Sequence, residues 1–168
     1  MRPLITVASG LPLWVRGYLR RELGRRLSLG GRRLGLSQAE VSTLAVHFVD
    51  DRAIARLNLA HMGKRGATDV LSFPGSAPVW IDGGGPVPML GDIVLSWPAI
   101  TRQALGTSGT AYLDEATLLM FHGLAHLLGC DHRSRRGGRA MHRAELRALA
   151  ATGVADIARP YGLRPVRA

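Results

Sequence analysis

The sequence predicts an α+β fold, a single domain over residues 1–168 in which one mixed β-sheet has helices packed on it. Two observations of bulk point that way: a length of 168 residues suits one core, and a hydrophobic fraction of 46% is that of a globular chain. The third is local. Stretches in which apolar residues recur every second position interleave with stretches in which they recur every third or fourth. No internal repeat and no interior linker divides the chain, and these patterns leave strand order open.

The elements follow in order. Leu4 to Ala8 reads as a short strand. Pro12 to about Leu27 reads as a helix, with Val15, Leu19, Leu23 and Leu27 at steps of four and Arg16, Arg20, Arg21, Arg25 and Arg26 on the other side. Gly30-Gly31 is expected to end it. Val41 to Val49 reads as a strand, with Leu44, Val46 and Phe48 on one face. Asp50 is placed to cap a helix over Asp51 to His61. Val70 to Phe73 is a strand stopped by Pro74. Ser76 to Pro88 is a Gly/Pro-rich loop with room for a brief strand at Val79 to Ile81. Leu90 to Leu95 is a strand. Helices follow near Pro98 to Leu105, from about Leu113 to Leu128, and from about Gly138 to Ala151.

Charge narrows the partners. Twenty-two basic against 12 acidic residues give +10, an excess that favours a polyanion. Lys64 is the only lysine. Codon bias explains arginine over lysine more easily than it explains the shortage of acids. The one cysteine, Cys130, excludes an internal disulfide and suits a reducing compartment. The apolar stretch at the N-terminus is short and broken by Pro and Gly, a poor signal peptide. No apolar run approaches the roughly 20 residues of a membrane span. A cytoplasmic location with no membrane partner is the expectation.

The segment from Phe121 to His132 carries the chemistry. His122 and His126 stand at i and i+4 on the predicted helix, one above the other on one face. Two imidazoles so placed converge on one ion. Gly129 falls where the helix should stop, since glycine adopts the left-handed conformation of a helix end cheaply. The chain can then turn and bring back His132 as a third ligand. Three protein ligands leave a position for water, the pattern of a catalytic rather than a structural zinc site, so one Zn2+ per chain is expected. Asp131 and His142 are alternative or additional ligands. Cys130 is another, and its participation would close the site into a structural one. The spacing H-x-x-x-H-x-x-G-x-x-H is also that of the metzincin peptidases, which carry a glutamate general base directly after the first histidine. Here that position is Gly123, so a metallopeptidase is the second reading.

These residues resemble a known family. His122-Gly-Leu-Ala-His-Leu-Leu-Gly-Cys-Asp-His132 is similar to the signature H-G-x-L-H-L-x-G-Y-D-H of the YbeY endoribonucleases, bacterial rRNA maturation factors. Leu57-Asn58, Gly63-Lys64 and Thr68-Asp69-Val70-Leu71-Ser72-Phe73-Pro74 form a second matching block, and Leu90-Gly91-Asp92-Ile93-Val94-Leu95-Ser96 a third. The blocks keep the family's order over residues 57 to 132. The resemblance implies a zinc-dependent endoribonuclease of the bacterial cytoplasm that cuts single-stranded RNA in 16S rRNA 3′-end maturation and ribosome quality control. It implies rRNA, the ribosome or ribosomal proteins as partners, with no DNA partner expected. Three positions depart from the family pattern. Met62 stands where an Arg is usual, Ala67 where Pro is usual, and Cys130 where Tyr is usual.

A zinc ion activates water and polarises a phosphoryl oxygen, and a cation should balance the extra charge of the transition state. Lys64 and Arg65 are the candidates, in place of the Arg missing at Met62. Ser72 is a candidate phosphate contact or simply a strand residue. Asp131 is the candidate catalytic carboxylate, orienting a histidine ligand or accepting a proton. A non-catalytic RNA-binding protein with a structural zinc is the third functional reading. No residue stands out as general base, and whether water or the RNA 2′-hydroxyl attacks is open.

Overall fold

The computed structural model describes residues 3–7, 13–80, 85–132 and 134–154. The predicted ends at Ala8, Pro12 and Ile81 lie outside the described residues. The chain runs β1 (Leu4–Val7), α1 (Leu13–Arg33), α2 (Gln38–Ser42), β2 (Leu44–Val49), α3 (Asp51–Met62), β3 (Val70–Pro74), β4 (Val79–Trp80), β5 (Pro86–Val87), β6 (Gly91–Ser96), α4 (Trp97–Gln103), α5 (Gly109–Leu127) and α6 (Arg135–Ala150). The α+β expectation holds. A four-stranded sheet has the order β1-β2-β6-β3. The first three strands are parallel and β3 runs antiparallel to β6, with Ser72 opposite Ile93. The sheet is therefore mixed.

The main core joins sheet residues Ile5, Val46, Phe48, Ile93 and Leu95 to Leu19, Leu23 and Leu27 of α1 and to Leu119, Phe121 and Leu124 of α5. A smaller cluster of Ile54, Leu71 and Val94 sits under α3. The predicted period of two in β2 is observed, with Leu44, Val46 and Phe48 all buried. Asp50 caps α3, accepting a hydrogen bond from the Ala53 amide at 2.6 Å.

Several boundaries are corrected. Gly30 and Gly31 do not end the first helix, which continues to Arg33. A Cβ on Gly30 would lie 2.2 Å from Cζ of buried Phe121, and one on Gly31 would lie 2.8 Å from Cγ2 of Val41. The pair lets helices approach, and the chain turns at Gly35, where φ is +88°. The predicted strand from Val41 starts only at Leu44, because Ser37 and Glu40 form a capping box that nucleates α2. The loop at 76–88 contains the small β4–β5 hairpin. α5 begins four residues before Leu113, capped by Ser108, and α6 begins at Arg135, capped by Ser134. Arg26 is not on a polar outer face. It is buried and donates to Asp114 Oδ1 at 2.6 Å and Thr117 Oγ1 at 2.9 Å on α5.

Candidate metal centre

α5 is buried along most of its length against the sheet and α1. That burial fixes its rotation, and with it the direction of His122 and His126. The helix ends as expected. The Cys130 amide bonds back to the Ala125 carbonyl at 2.9 Å, and Gly129 takes φ +81°. The turn returns His132 to the helix end. One ring nitrogen from each of His122, His126 and His132 lies within 4.8 Å of the others, so the trio could hold a metal ion. His122 is buried, His126 half-buried and His132 exposed, which leaves one side of the cluster open to solvent.

Two hydrogen bonds set the imidazole tautomers. His122 Nδ1 lies 2.8 Å from Glu145 Oε1, and His126 Nδ1 lies 3.1 Å from the Cys130 carbonyl. Both partners accept, so each Nδ1 carries the hydrogen and each Nε2 the lone pair a metal needs. Burial holds His126 below the ordinary imidazole range, and the neighbouring His122 and His132 add to that. The Cys130 carbonyl and Glu145 pull the other way. His126 is thus neutral at pH 7, the form that binds metal. Three imidazoles, two of them with their tautomers set, fit a borderline-soft divalent ion.

Among the described residues the cluster has three members, and Cys130, Asp131 and His142 stand outside it. Cys130 contributes its carbonyl oxygen to the site. Asp131 is exposed, with its carboxylate beside Gly137 in the first turn of α6. The carboxylate bonded to His122 Nδ1 is Glu145, which also lies 3.7 Å from His142 Nδ1. Sequence reasoning missed Glu145, because no spacing rule links it to the motif. One signal was present: it is the lone acid in a helix carrying five arginines.

Gly123 packs face down on the sheet. A Cβ there would meet Ser72 Oγ at 2.8 Å and Ile93 Cγ2 at 3.0 Å. A side chain at the position that holds the peptidase glutamate would therefore force Ser72 and Ile93 to shift. Ser72 is half-buried and donates its hydroxyl hydrogen to the Gly123 carbonyl at 3.1 Å, tying β3 to the histidine helix. Lys64 and Arg65 are exposed on the turn after Gly63, whose φ of +65° ends α3. Met62, in the last turn of α3, is 46% exposed and sits outside both core clusters.

Comparison with known proteins gives a consistent result. The family model described as Endoribonuclease YbeY matches residues 27–153. A protein of that name from Alkalilimnicola ehrlichii is 37% identical over 155 residues, covering 92% of this chain and 85% of the relative. One from Parvibaculum lavamentivorans is 39% identical over 129 residues, covering 73% and 67%. One from Stenotrophomonas maltophilia is 39% identical over 118 residues, covering 70% and 71%. A solution structure of a Thermotoga maritima protein aligns over 96% of this chain with a TM-score of 0.43 and 19% identity.

Proposed function

We propose, from the premise that this chain belongs to the YbeY endoribonuclease family, that it is a zinc-dependent endoribonuclease that cuts single-stranded RNA. Its expected place is the cytoplasm, in 16S rRNA 3′-end maturation and ribosome quality control, with rRNA and the ribosome as partners. The observation that carries the metal chemistry is the cluster of His122, His126 and His132, with tautomers fixed by Glu145 and Cys130. A bound zinc supplies Lewis acidity toward a phosphoryl oxygen and activation of a water nucleophile.

The chain's own residues do the rest. Glu145 accepts from His122 Nδ1 and holds that ring in its ligand orientation. Ser72 seats the histidine helix on the sheet through Gly123. Lys64 and Arg65, solvent-facing on a glycine-ended turn, are the proposed cations for the RNA phosphates. Asp131, exposed beside the third ligand, is the proposed group for taking or giving a proton at the open side of the site. The peptidase reading is disfavoured by chemistry and by packing, since Gly123 has no carboxylate and a side chain there would displace Ser72 and Ile93.

The test is incubation of metal-loaded protein with single-stranded RNA and, separately, with casein. RNA should be cut and casein left whole, and His126→Ala should abolish cutting. Metal analysis should find about one zinc per chain. Casein hydrolysis without RNA cleavage would reverse the reading.

A further inference from the structure

We propose that Arg135, Arg139, Arg143 and Arg147 of α6 form a second RNA-backbone site, a ladder along the helix that supports the metal centre through Glu145, leading a strand to an arginine-lined cavity at the helix end. The proposal rests on the endoribonuclease reading and adds to it where the strand runs. The four arginines stand at successive i, i+4 positions, and all are exposed. Each step rises about 6 Å and rotates by about 40°, so the ladder winds slowly over the solvent side for about 18 Å. That rise is of the order of the phosphate repeat of an extended single strand. The ladder begins three residues after His132, and Glu145, which bonds His122, lies between Arg143 and Arg147. At the far end, Arg147 joins Arg32 and Arg33 around an open cavity of about 510 Å³ whose other walls are Ala150 and Ala151.

The partners of these arginines set them apart from Arg20, Arg21, Arg25 and Arg26 of α1. In α1, Arg21 and Arg25 hold Glu22, Arg20 donates to the Ile5 carbonyl, and Arg26 holds Asp114. Among the described residues, Arg135, Arg139 and Arg143 have no such partner, while Arg147 donates to the Arg33 carbonyl at 3.2 Å. The arrangement also works against the helix. Like charges at i, i+4 repel, and the first turn of α6 carries Arg135 and Arg136 with no acid, against the positive end of the helix dipole. Complementing the dipole accounts for Arg147 in the last turn but not for the other three. A helix that keeps an unfavourable charge row has that row for a ligand, and guanidinium forks recognise phosphate bidentately. A positive track along the backbone is how single strands are held without sequence preference.

The experiment compares the triple variant Arg139→Gln/Arg143→Gln/Arg147→Gln with a control of equal charge loss, Arg21→Gln/Arg25→Gln/Arg52→Gln. Binding of a labelled single-stranded RNA is measured over a salt series with chelator present, so the strand stays whole. Cleavage is measured separately on the metal-loaded proteins. For the ladder variant, the slope of log affinity against log salt should fall by about 2, at about 0.7 per lost phosphate contact. Its KM should rise at least tenfold while kcat stays within twofold. Metal content should match wild type, and the melting temperature should hold or rise as repulsion is relieved. The control should lose less than half that slope. If the triple variant does not fold, Arg143→Gln alone should show about a third of the slope change. Wild type that cleaves RNA while ladder and control variants behave alike overturns the ladder and leaves the endoribonuclease reading. Loss of binding to polyglutamate rather than RNA overturns it in favour of an acidic protein partner. Wild type that neither binds nor cuts RNA overturns both.

Discussion

The side chain of Glu145 links α6 to the candidate metal site. Its Oε1 accepts from the His122 Nδ1–H at 2.8 Å, and its side chain is only 15% exposed. Removing its charge weakens the hold on the ring and lowers the basicity of Nε2. Glu145→Gln should therefore reduce metal affinity by roughly 10- to 100-fold. The fold should survive, because Gln keeps the size of the side chain and an oxygen that accepts from His122. A competitive metal titration with a chromogenic chelator measures this, and unchanged affinity would remove Glu145 from the site. Sequence reading offered Asp131 for this orienting role, because Asp131 is adjacent to a ligand. The Asp131 carboxylate lies beside Gly137 of α6, and the acceptor on His122 Nδ1 is Glu145, 23 positions along the chain from that ring.

Within the helices, the same residue type plays opposite parts. Gly17 in α1 is exposed, and a Cβ there meets nothing within 4 Å. Gly17→Ala should stabilise the protein by about 0.5–1 kcal/mol through helix propensity and lost unfolded-state entropy. Gly30 lies in the same helix, but its Cβ would fall 2.2 Å from the buried Phe121 ring. Gly30→Ala should destabilise by about 1–3 kcal/mol, overpacking outweighing propensity. Urea melts of the two variants should shift in opposite directions. The capping box on α2 gives a pH-dependent case. The Ser37 amide and then its hydroxyl bond Glu40 and hold its carboxyl below its ordinary 4.5. A carboxyl depressed on folding contributes its full stability above its unfolded value, and that contribution is lost as pH falls through the folded value. Ser37→Ala should cost about 1 kcal/mol at neutral pH. The difference from wild type should shrink below pH 4.5, as paired melts across pH would record.

Across the whole molecule, the metal centre gathers parts that the chain separates. α5 gives two histidines, the following turn a third, and α6 the supporting carboxylate. A metal that binds only this folded arrangement stabilises all of it. At a free concentration 100-fold above Kd the gain is about 2.7 kcal/mol. For a domain of this size that corresponds to about 5–10 °C in melting temperature. Chelator should lower the melting temperature of wild type by that amount and leave His126→Ala unmoved. Equal shifts in both proteins would place the metal elsewhere.

Local patterns in the sequence determined the α+β class, the buried face of β2, the Asp50 cap and the ligand trio. Each of these depends on residues a few positions apart, whose periodicity or turn chemistry acts within one element. The three candidate ligands were legible because two share a helix face and the third follows a four-residue turn after the helix. Tertiary structure decided what depends on distant neighbours. Gly30-Gly31 read as a helix end, since a glycine pair is a local breaker, yet Phe121 of another helix needs their missing side chains. Arg26 read as solvent-facing until α5 supplied Asp114 and Thr117. Gly123 read as an absent catalytic glutamate, and its packing on Ser72 and Ile93 shows that a side chain there would displace them. Strand order and Glu145 were out of reach for the same physical reason. Hydrogen bonds between strands, and between α5 and α6, join residues whose separation along the chain leaves no periodic mark.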